Sequence, residues 1–343
     1  MLPWALFSSI KSHASSHAPP RRTLKKLQPK REIPLLNLPP SLFSLILNYL
    51  SSREALSLLL TCKAWSEAVV QGLYQQPRLH SLDSFMYFSQ TIASQSTYYP
   101  YARFVRLLEL QSPVSDELLM GDLDHLLSVT LNLEAFCISS CPHLSNLLVS
   151  TLSMHVPKLS TLKLEGCNVS MSFLGKLFRG CPSLKVLDLT FAQLSLSVLP
   201  LILQEAPDLE CLNLRGLLGS GQPWPKPVAG SRLKRLNLSR TRISDEGLLF
   251  IALSCPLLSC IHLESCTCIT DTGIYSLAHH LPLQSLDMSL CTQLTDVSLQ
   301  ALQIHCATSL CVLYAHGCTL MTLDTFSKLS QGLPRLLSLG HTC

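Results

Sequence analysis

Leu159-Ser-Thr-Leu-Lys-Leu-Glu-Gly-Cys167, Leu258-Ser-Cys-Ile-His-Leu-Glu-Ser-Cys266 and Leu283-Gln-Ser-Leu-Asp-Met-Ser-Leu-Cys291 are copies of one pattern, L-x-x-L-x-L-x-x-C. Apolar alternation within each copy predicts a short strand that buries one face. The pattern recurs from Val105, Leu133, Leu159, Leu184, Leu209, Leu233, Leu258, Leu283, Leu310 and Leu336, in steps of 24 to 28 residues. Chance places one or two such matches in a Leu-rich chain, but not ten at nearly constant phase. After each strand the apolar spacing turns helical: Leu174, Leu177, Phe178 and Cys181 stand at i, i+3, i+4 and i+7, as do Leu248, Ile251, Ala252 and Cys255. Ser244-Asp245, Thr270-Asp271 and Thr295-Asp296 precede these segments as capping residues, and Pro157, Pro182, Pro207, Pro256 and Pro282 end them.

A strand plus a helix about every 25 residues predicts an α/β solenoid, a horseshoe with a parallel concave sheet and convex helices. The array resembles the cysteine-containing class of leucine-rich repeat, through L-x-x-L-x-L-x-x-C and the I-[ST]-D-x-G-[LI] turns at Ile243 to Leu248 and Ile269 to Ile274. About ten repeats fill 105–343. Two units depart from the pattern, with Ala192 and Leu217 in place of Cys. The Gly- and Pro-rich stretch 217–231 predicts a non-helical loop on the convex side that leaves the register intact.

Composition agrees with a solenoid. Charged residues are 14% of the 343 and hydrophobic ones 47%, so buried positions are plentiful and solvated faces thin. Mean hydropathy is +0.31, yet no apolar run reaches the length of a membrane span, and no membrane partner is expected. The fifteen cysteines are odd in number and contain no C-x-x-C pair. Cys141, Cys167, Cys266, Cys291 and Cys318 share one phase of the repeat, as small packing residues would. A reducing compartment follows, cytoplasm and/or nucleus, with neither a disulfide framework nor a metal site. The basic residues concentrate in 1–33, where seven bases precede or flank the single acid Glu32. That stretch reads as a solvated, disordered tail; a nuclear import signal at Pro20 to Lys26 and a transit peptide are the alternatives.

Between tail and repeats, 34–75 predicts a small all-α module. Pro39 and Pro40 open a helix with Leu42, Leu45, Ile46 and Tyr49 on one face, and a second helix carries Ala55, Leu56, Leu59 and Leu60. This module has more apolar surface than it can bury alone. It resembles the F-box, through Leu38-Pro39, Ile46, Tyr49-Leu50, Leu56, Leu60, Cys62-Lys63 and Trp65, with Ser41 where an acid is frequent. The resemblance implies docking on the Skp adaptor of a cullin-RING ubiquitin ligase, with the cullin scaffold beyond it. It also implies that Leu38, Pro39, Leu42, Ile46, Leu50 and Trp65 contact the adaptor or support that surface. A helical connector at 76–104, with Leu82, Phe85, Met86 and Phe88 at helical spacing, joins the module to the repeats.

In each strand the residue between two buried leucines faces solvent, which gives a column Lys163, Asp188, Asn213, Asn237, His262, Asp287 and Tyr314. A second column reads Glu165, Thr190, Arg215, Ser239, Glu264, Ser289 and His316, and Arg215 with Arg235 would form a basic spot. This face is where a client protein of unknown identity would bind. Nothing in the sequence supplies catalytic chemistry: G-x-S-x-G, H-E-x-x-H and the P-loop are absent, and Gly216, Gly219 and Gly221 lack a following Lys-Ser/Thr. No enzyme activity and no cofactor are expected. Nucleic acid is an unlikely partner, because the basic tail has no interleaved aromatics. The domain order predicts a substrate receptor of an SCF-type ubiquitin ligase; the alternative is a leucine-rich-repeat scaffold without a ligase role.

Overall fold

The computed structural model describes residues 46–47, 49–50, 52–60, 63–94, 98–112, 114–118, 120–141, 146–219 and 223–340. They form two compact units, 1–133 and 134–343.

In the first unit, helices α1 (Ser52–Leu59) and α2 (Lys63–Gln75) pack together around Leu47 and Val69, with Leu50, Leu58, Leu59, Ala68 and Leu73 partly buried beside them. The expected connector helix is α3 (Leu82–Ala93). Its start is fixed by a reciprocal cap in which Ser81 Oγ accepts the Ser84 N–H and Ser84 Oγ accepts the Ser81 N–H. Phe85, Phe88 and Ile92 form its buried face. Tyr74 at the end of α2 stacks on Phe88, centroids 6.0 Å apart, and on Tyr101 of the short helix α4 (Tyr101–Phe104), 4.3 Å apart. Burial of that aromatic stack raises the Tyr74 pKa well above the usual tyrosine range. Strand β1 (Leu107–Leu110) and helices α5 (Val114–Glu117) and α6 (Met120–Val129) complete the unit. An isolated parallel bridge pairs Arg78 with Glu109 of β1.

The second unit alternates strand and helix as the 25-residue period predicts: β2 (Ala135–Ser139), α7 (Asn146–His155), β3 (Thr161–Glu165), α8 (Met171–Gly180), β4 (Val186–Asp188), α9 (Leu199–Glu205), β5 (Cys211–Asn213), β6 (Arg235–Asn237), α10 (Asp245–Ser254), β7 (Cys260–His262), α11 (Asp271–His280), β8 (Ser285–Asp287), α12 (Asp296–His305), β9 (Val312–Tyr314), α13 (Leu323–Gly332) and β10 (Ser338–Gly340). Each strand from β2 to β10 pairs in parallel with the next, so this is a leucine-rich-repeat solenoid. The repeating leucines, such as Leu162, Leu164, Leu187, Leu189, Leu212 and Leu214, are almost wholly buried. Each contributes about 2 kcal/mol of transfer free energy. Leu336, at the same phase in the last described unit, is only half buried.

The helix starts behave as read. Ser244 accepts the Gly247 N–H, Thr270 that of Thr272, and Thr295 that of Val297. Among the described residues, no helix joins β5 to β6, yet Asn213 still faces Asn237 in register. Instead Trp224 stacks on Phe250 of α10, centroids 5.4 Å apart, and Val228 N–H donates to Ser254 Oγ. Gly247 permits this approach, because a Cβ there would stand 2.6 Å from the Trp224 ring. Thr241 also departs from the cysteine phase, a departure that the pattern reading passed over; it is buried and its hydroxyl donates to Leu238 O.

Candidate functional site

The helical module leaves apolar surface uncovered within its own unit. Ile46 is 40% exposed, Tyr49 84% and Leu60 83%, while Leu47 turns inward to the small core. The apolar face that carries Ile46 and Tyr49 is thus open within this unit, and so is Leu60 at the end of α1. Leu50 is half buried against Leu47 and Val69 and so supports this surface from beneath. Trp65 lies in α2. Leu38, Pro39 and Leu42 fall outside the described residues, as does the side chain of Trp65.

On the sheet, Lys163, Asp188, Asn213, Asn237, His262, Asp287 and Tyr314 stand opposite one another from β3 to β9, strand by strand. Four of them fold back onto their own backbone. Asp188 Oδ1 accepts the Thr190 N–H at 2.9 Å, Asn213 Oδ1 that of Arg215 at 3.1 Å, Asn237 Oδ1 that of Ser239 at 2.9 Å and Asp287 Oδ1 that of Ser289 at 3.0 Å. In each case the backbone N–H two residues on has no acceptor from the preceding strand, and the short polar side chain replaces it. Asn213 Nδ2 also donates to Asp188 Oδ2 at 3.1 Å. Lys163 is exposed at one end of the column, Tyr314 is 36% exposed at the other, and His262 holds the middle, its Nδ1 3.9 Å from Asp287 Oδ2.

The second column does not face solvent throughout. Thr190, Ser239 and Ser289 are buried where the strand gives way to a turn, and Glu165 alone in this column is fully exposed. The residue after each column position is left-handed: Gly166, Phe191, Gly216, Arg240, Ser265, Leu290 and Gly317 all have φ between 52° and 72°. That turn draws the small polar residues under the sheet edge. The basic spot does not form either. Arg215 Nη1 contacts Glu264 Oε2 at 2.8 Å across β6, and Arg240 approaches the same carboxylate at 3.7 Å. Arg235 stands in a different column, its Nε 2.9 Å from Cys211 Sγ.

Comparison with protein families matches residues 35–80 to an F-box-like model and residues 232–252, 254–278 and 279–302 to leucine-rich-repeat models. The chain joins an F-box-like domain to leucine-rich repeats. Among solved structures it is similar to yeast Rad7, solved in complex with Elc1, at 15% identity, covering 88% of this chain and 86% of that one with a TM-score of 0.50. It also matches the leucine-rich-repeat protein LegL7 of Legionella pneumophila at 15% identity, covering 78% and 89%, with a TM-score of 0.47. Comparison with curated proteins finds no match.

Within the F-box-like domain, the match spans Ile46, Tyr49 and Leu60, the exposed apolar residues. Within the repeats, the cysteines have a role beyond size. Cys266 Sγ donates to Leu238 O at 3.1 Å, Cys291 Sγ to Leu263 O at 3.1 Å and Cys318 Sγ to Met288 O at 3.2 Å, each reaching the preceding repeat. Burial pushes the Cys167 and Cys266 thiols up to about 11, so they remain protonated donors. Sequence reasoning saw their phase but not their acceptors, and it passed over Cys260, whose surroundings differ. Among the described residues, no group of His, Cys, Asp and Glu is arranged to hold a metal ion.

Proposed function

We propose that this F-box-like leucine-rich-repeat chain is the substrate-recognition subunit of an SCF-type ubiquitin ligase. The F-box-like domain docks on a Skp adaptor and through it on the cullin, while the repeats hold a client protein for ubiquitination and proteasomal degradation. The observation that carries this reading is the uncovered apolar surface at Ile46, Tyr49 and Leu60, inside the segment that matches the F-box-like model. A partner that buries it recovers transfer free energy at about 25 cal/mol per Å2. The adaptor surface comprises Ile46 and Leu50 with Leu38, Pro39, Leu42 and Trp65. The chain itself performs no chemistry in this reading: it positions a client. The free, mostly buried cysteines support residence in a reducing compartment, cytoplasm or nucleus.

Co-purification of the full chain with a Skp adaptor tests the docking half. Wild type is expected to retain the adaptor, and Ile46→Asp combined with Trp65→Ala to lose it with an unchanged circular dichroism spectrum. Retention by the double variant overturns the reading and leaves an interaction scaffold.

A further inference from the structure

Cys260 and His262 lie two residues apart on β7 and therefore project from the same face of the sheet. Parallel pairing places Arg235 of β6 opposite Cys260 on one side and Ser285 of β8 opposite it on the other, with Asp287 opposite His262. Cys260 Sγ is 3.5 Å from His262 Nε2, and the other ring nitrogen, Nδ1, is 3.9 Å from Asp287 Oδ2. Asp287 is itself anchored by the Ser289 N–H. Thiol, imidazole and carboxylate thus follow one another across two strands, and the Arg235 guanidinium of the neighbouring strand is held by Cys211 Sγ. Cys260 is only partly buried, and His262 is 40% exposed.

We propose that Cys260 is a reactive thiol, activated by His262 and oriented through Asp287, that hydroperoxides oxidise to sulfenic acid. Electrostatics at the cluster agree with the geometry. The Asp287 carboxylate, and after it the Cys260 sulfur, raise His262 to about 10. The His262 contact lowers the Cys260 thiol against the opposing effect of burial, with Ser285 and Arg235 adding to it. Burial works to raise Asp287, but His262 and Ser289 outweigh it and hold the carboxyl below its ordinary value. Both effects favour the thiolate–imidazolium pair over an isolated thiol and imidazole.

The chemistry balances with a hydroperoxide as oxidant. The thiolate attacks the terminal oxygen, an S–O bond forms and the O–O bond breaks. Sulfur gives up two electrons, and the departing alkoxide or hydroxide takes the imidazolium proton from His262 to leave as alcohol or water. The new sulfenic acid keeps the hydroperoxide hydrogen. Peptide hydrolysis is not the reading, because acyl chemistry needs a backbone donor near the sulfur for the oxyanion, and the Cys260 N–H is bound to Lys234 O at 3.0 Å.

The full chain, treated with graded hydrogen peroxide and trapped with dimedone, reports sulfenic acid residue by residue in peptide mass spectrometry. Cys260 is expected to label at about one tenth the dose needed by the partly exposed Cys268 and Cys311 of the same molecule, which have no such histidine. His262→Asn should slow Cys260 labelling about tenfold and move its iodoacetamide reactivity to higher pH; Asp287→Asn should do so less. Both substitutions suit the fold, since Asn213 and Asn237 occupy the same column and Asn keeps the Oδ1 acceptor that Ser289 uses. Labelling of Cys260 in step with Cys268 and Cys311 overturns the proposal, and so does an unchanged Cys260 rate in a folded His262→Asn variant. The comparison within the wild-type molecule decides even if a variant unfolds, and none of it depends on adaptor binding.

Discussion

Asp271 opens α11, yet both of its carboxylate oxygens serve the next repeat: the Thr295 N–H donates to Oδ1 at 2.9 Å and the Thr295 hydroxyl to Oδ2 at 2.7 Å. The same link joins Asp245 to Thr270 at 2.8 and 2.6 Å, and Asp296 to Thr322 at 2.8 and 2.8 Å. One Ser/Thr-Asp pair therefore does two jobs. The hydroxyl caps its own helix, and the acid behind it clamps the hydroxyl residue that follows a repeat later.

Removing one clamp should loosen two repeats together. Asp271→Ala is expected to destabilise the chain by about 2 kcal/mol, since it deletes charge-assisted bonds and orphans the Thr295 N–H. Asp271→Asn, which keeps one acceptor, should lose about half of that. Urea midpoints at neutral pH measure both; equal, negligible shifts would remove the clamp from the account of stability.

The clamps also set a direction for acid sensitivity. Burial tends to raise the Asp271 carboxyl, but the bonds from Ser298 and Thr295 overcome it, and the folded value lies below the unfolded one. For Asp296 burial likewise opposes, and Thr322 and Thr325 prevail. A lowered folded pKa contributes stability that is complete above the unfolded value near 4 and disappears as pH falls through the folded value. Urea midpoints should stay level from pH 7 to 5 and drop below about pH 4, less steeply in Asp271→Asn than in wild type.

Gly216 has φ +72°, and a Cβ there would stand 2.2 Å from the Phe191 ring of the preceding repeat. Gly216→Ala should thus cost about 2 kcal/mol or more through strain and overlap together. Pairing it with Phe191→Gly should recover the part due to overlap but not the backbone strain, a non-additivity that a double-mutant cycle reads directly. Simple additivity would show that the ring moves aside freely.

Arg215 and Glu264 form a pair whose side chains are about a quarter exposed, with Arg240 on the same carboxylate. A cycle with Arg215→Ala and Glu264→Ala should give a coupling of about 1 kcal/mol, only partly removed by 1 M salt because the pair is sheltered. Complete loss in salt would mark it as a surface contact.

Much of this fold was legible because period-2 and period-3.6 spacing record burial, and burial in a solenoid repeats. Leu162, Leu187 and Leu212 could be read from the pattern alone, and so could the cap at Thr295. The clamps were harder to see: Asp271 looks like a favourable first-turn acid whether or not Thr295 reaches it, since a bond to the next repeat has no local sign. The face was half legible. Alternation placed Asp188 and Asn237 on it, but it could not show that each folds back onto its own backbone, or that Thr190 and Ser239 slip beneath the edge. On Arg215 the column logic failed, because its partner lies two strands away at Glu264. For the helical module, spacing found the apolar face of Ile46 and Tyr49 but passed over Leu47, which fills the small core beneath it.

The left-handed positions have a consequence for how such a molecule diversifies. At Phe191, Arg240 and Leu290 the main-chain N–H donates to a carbonyl of the following repeat while the side chain is about half exposed. An aromatic, a guanidinium and an aliphatic group all occupy the same geometry, with the following repeat offering glycine at Gly216 and Gly317 where the group is large. The rim is in effect a rack with fixed sockets, and a change of fitting there alters what neighbours meet while the leucine spine behind it never registers the exchange.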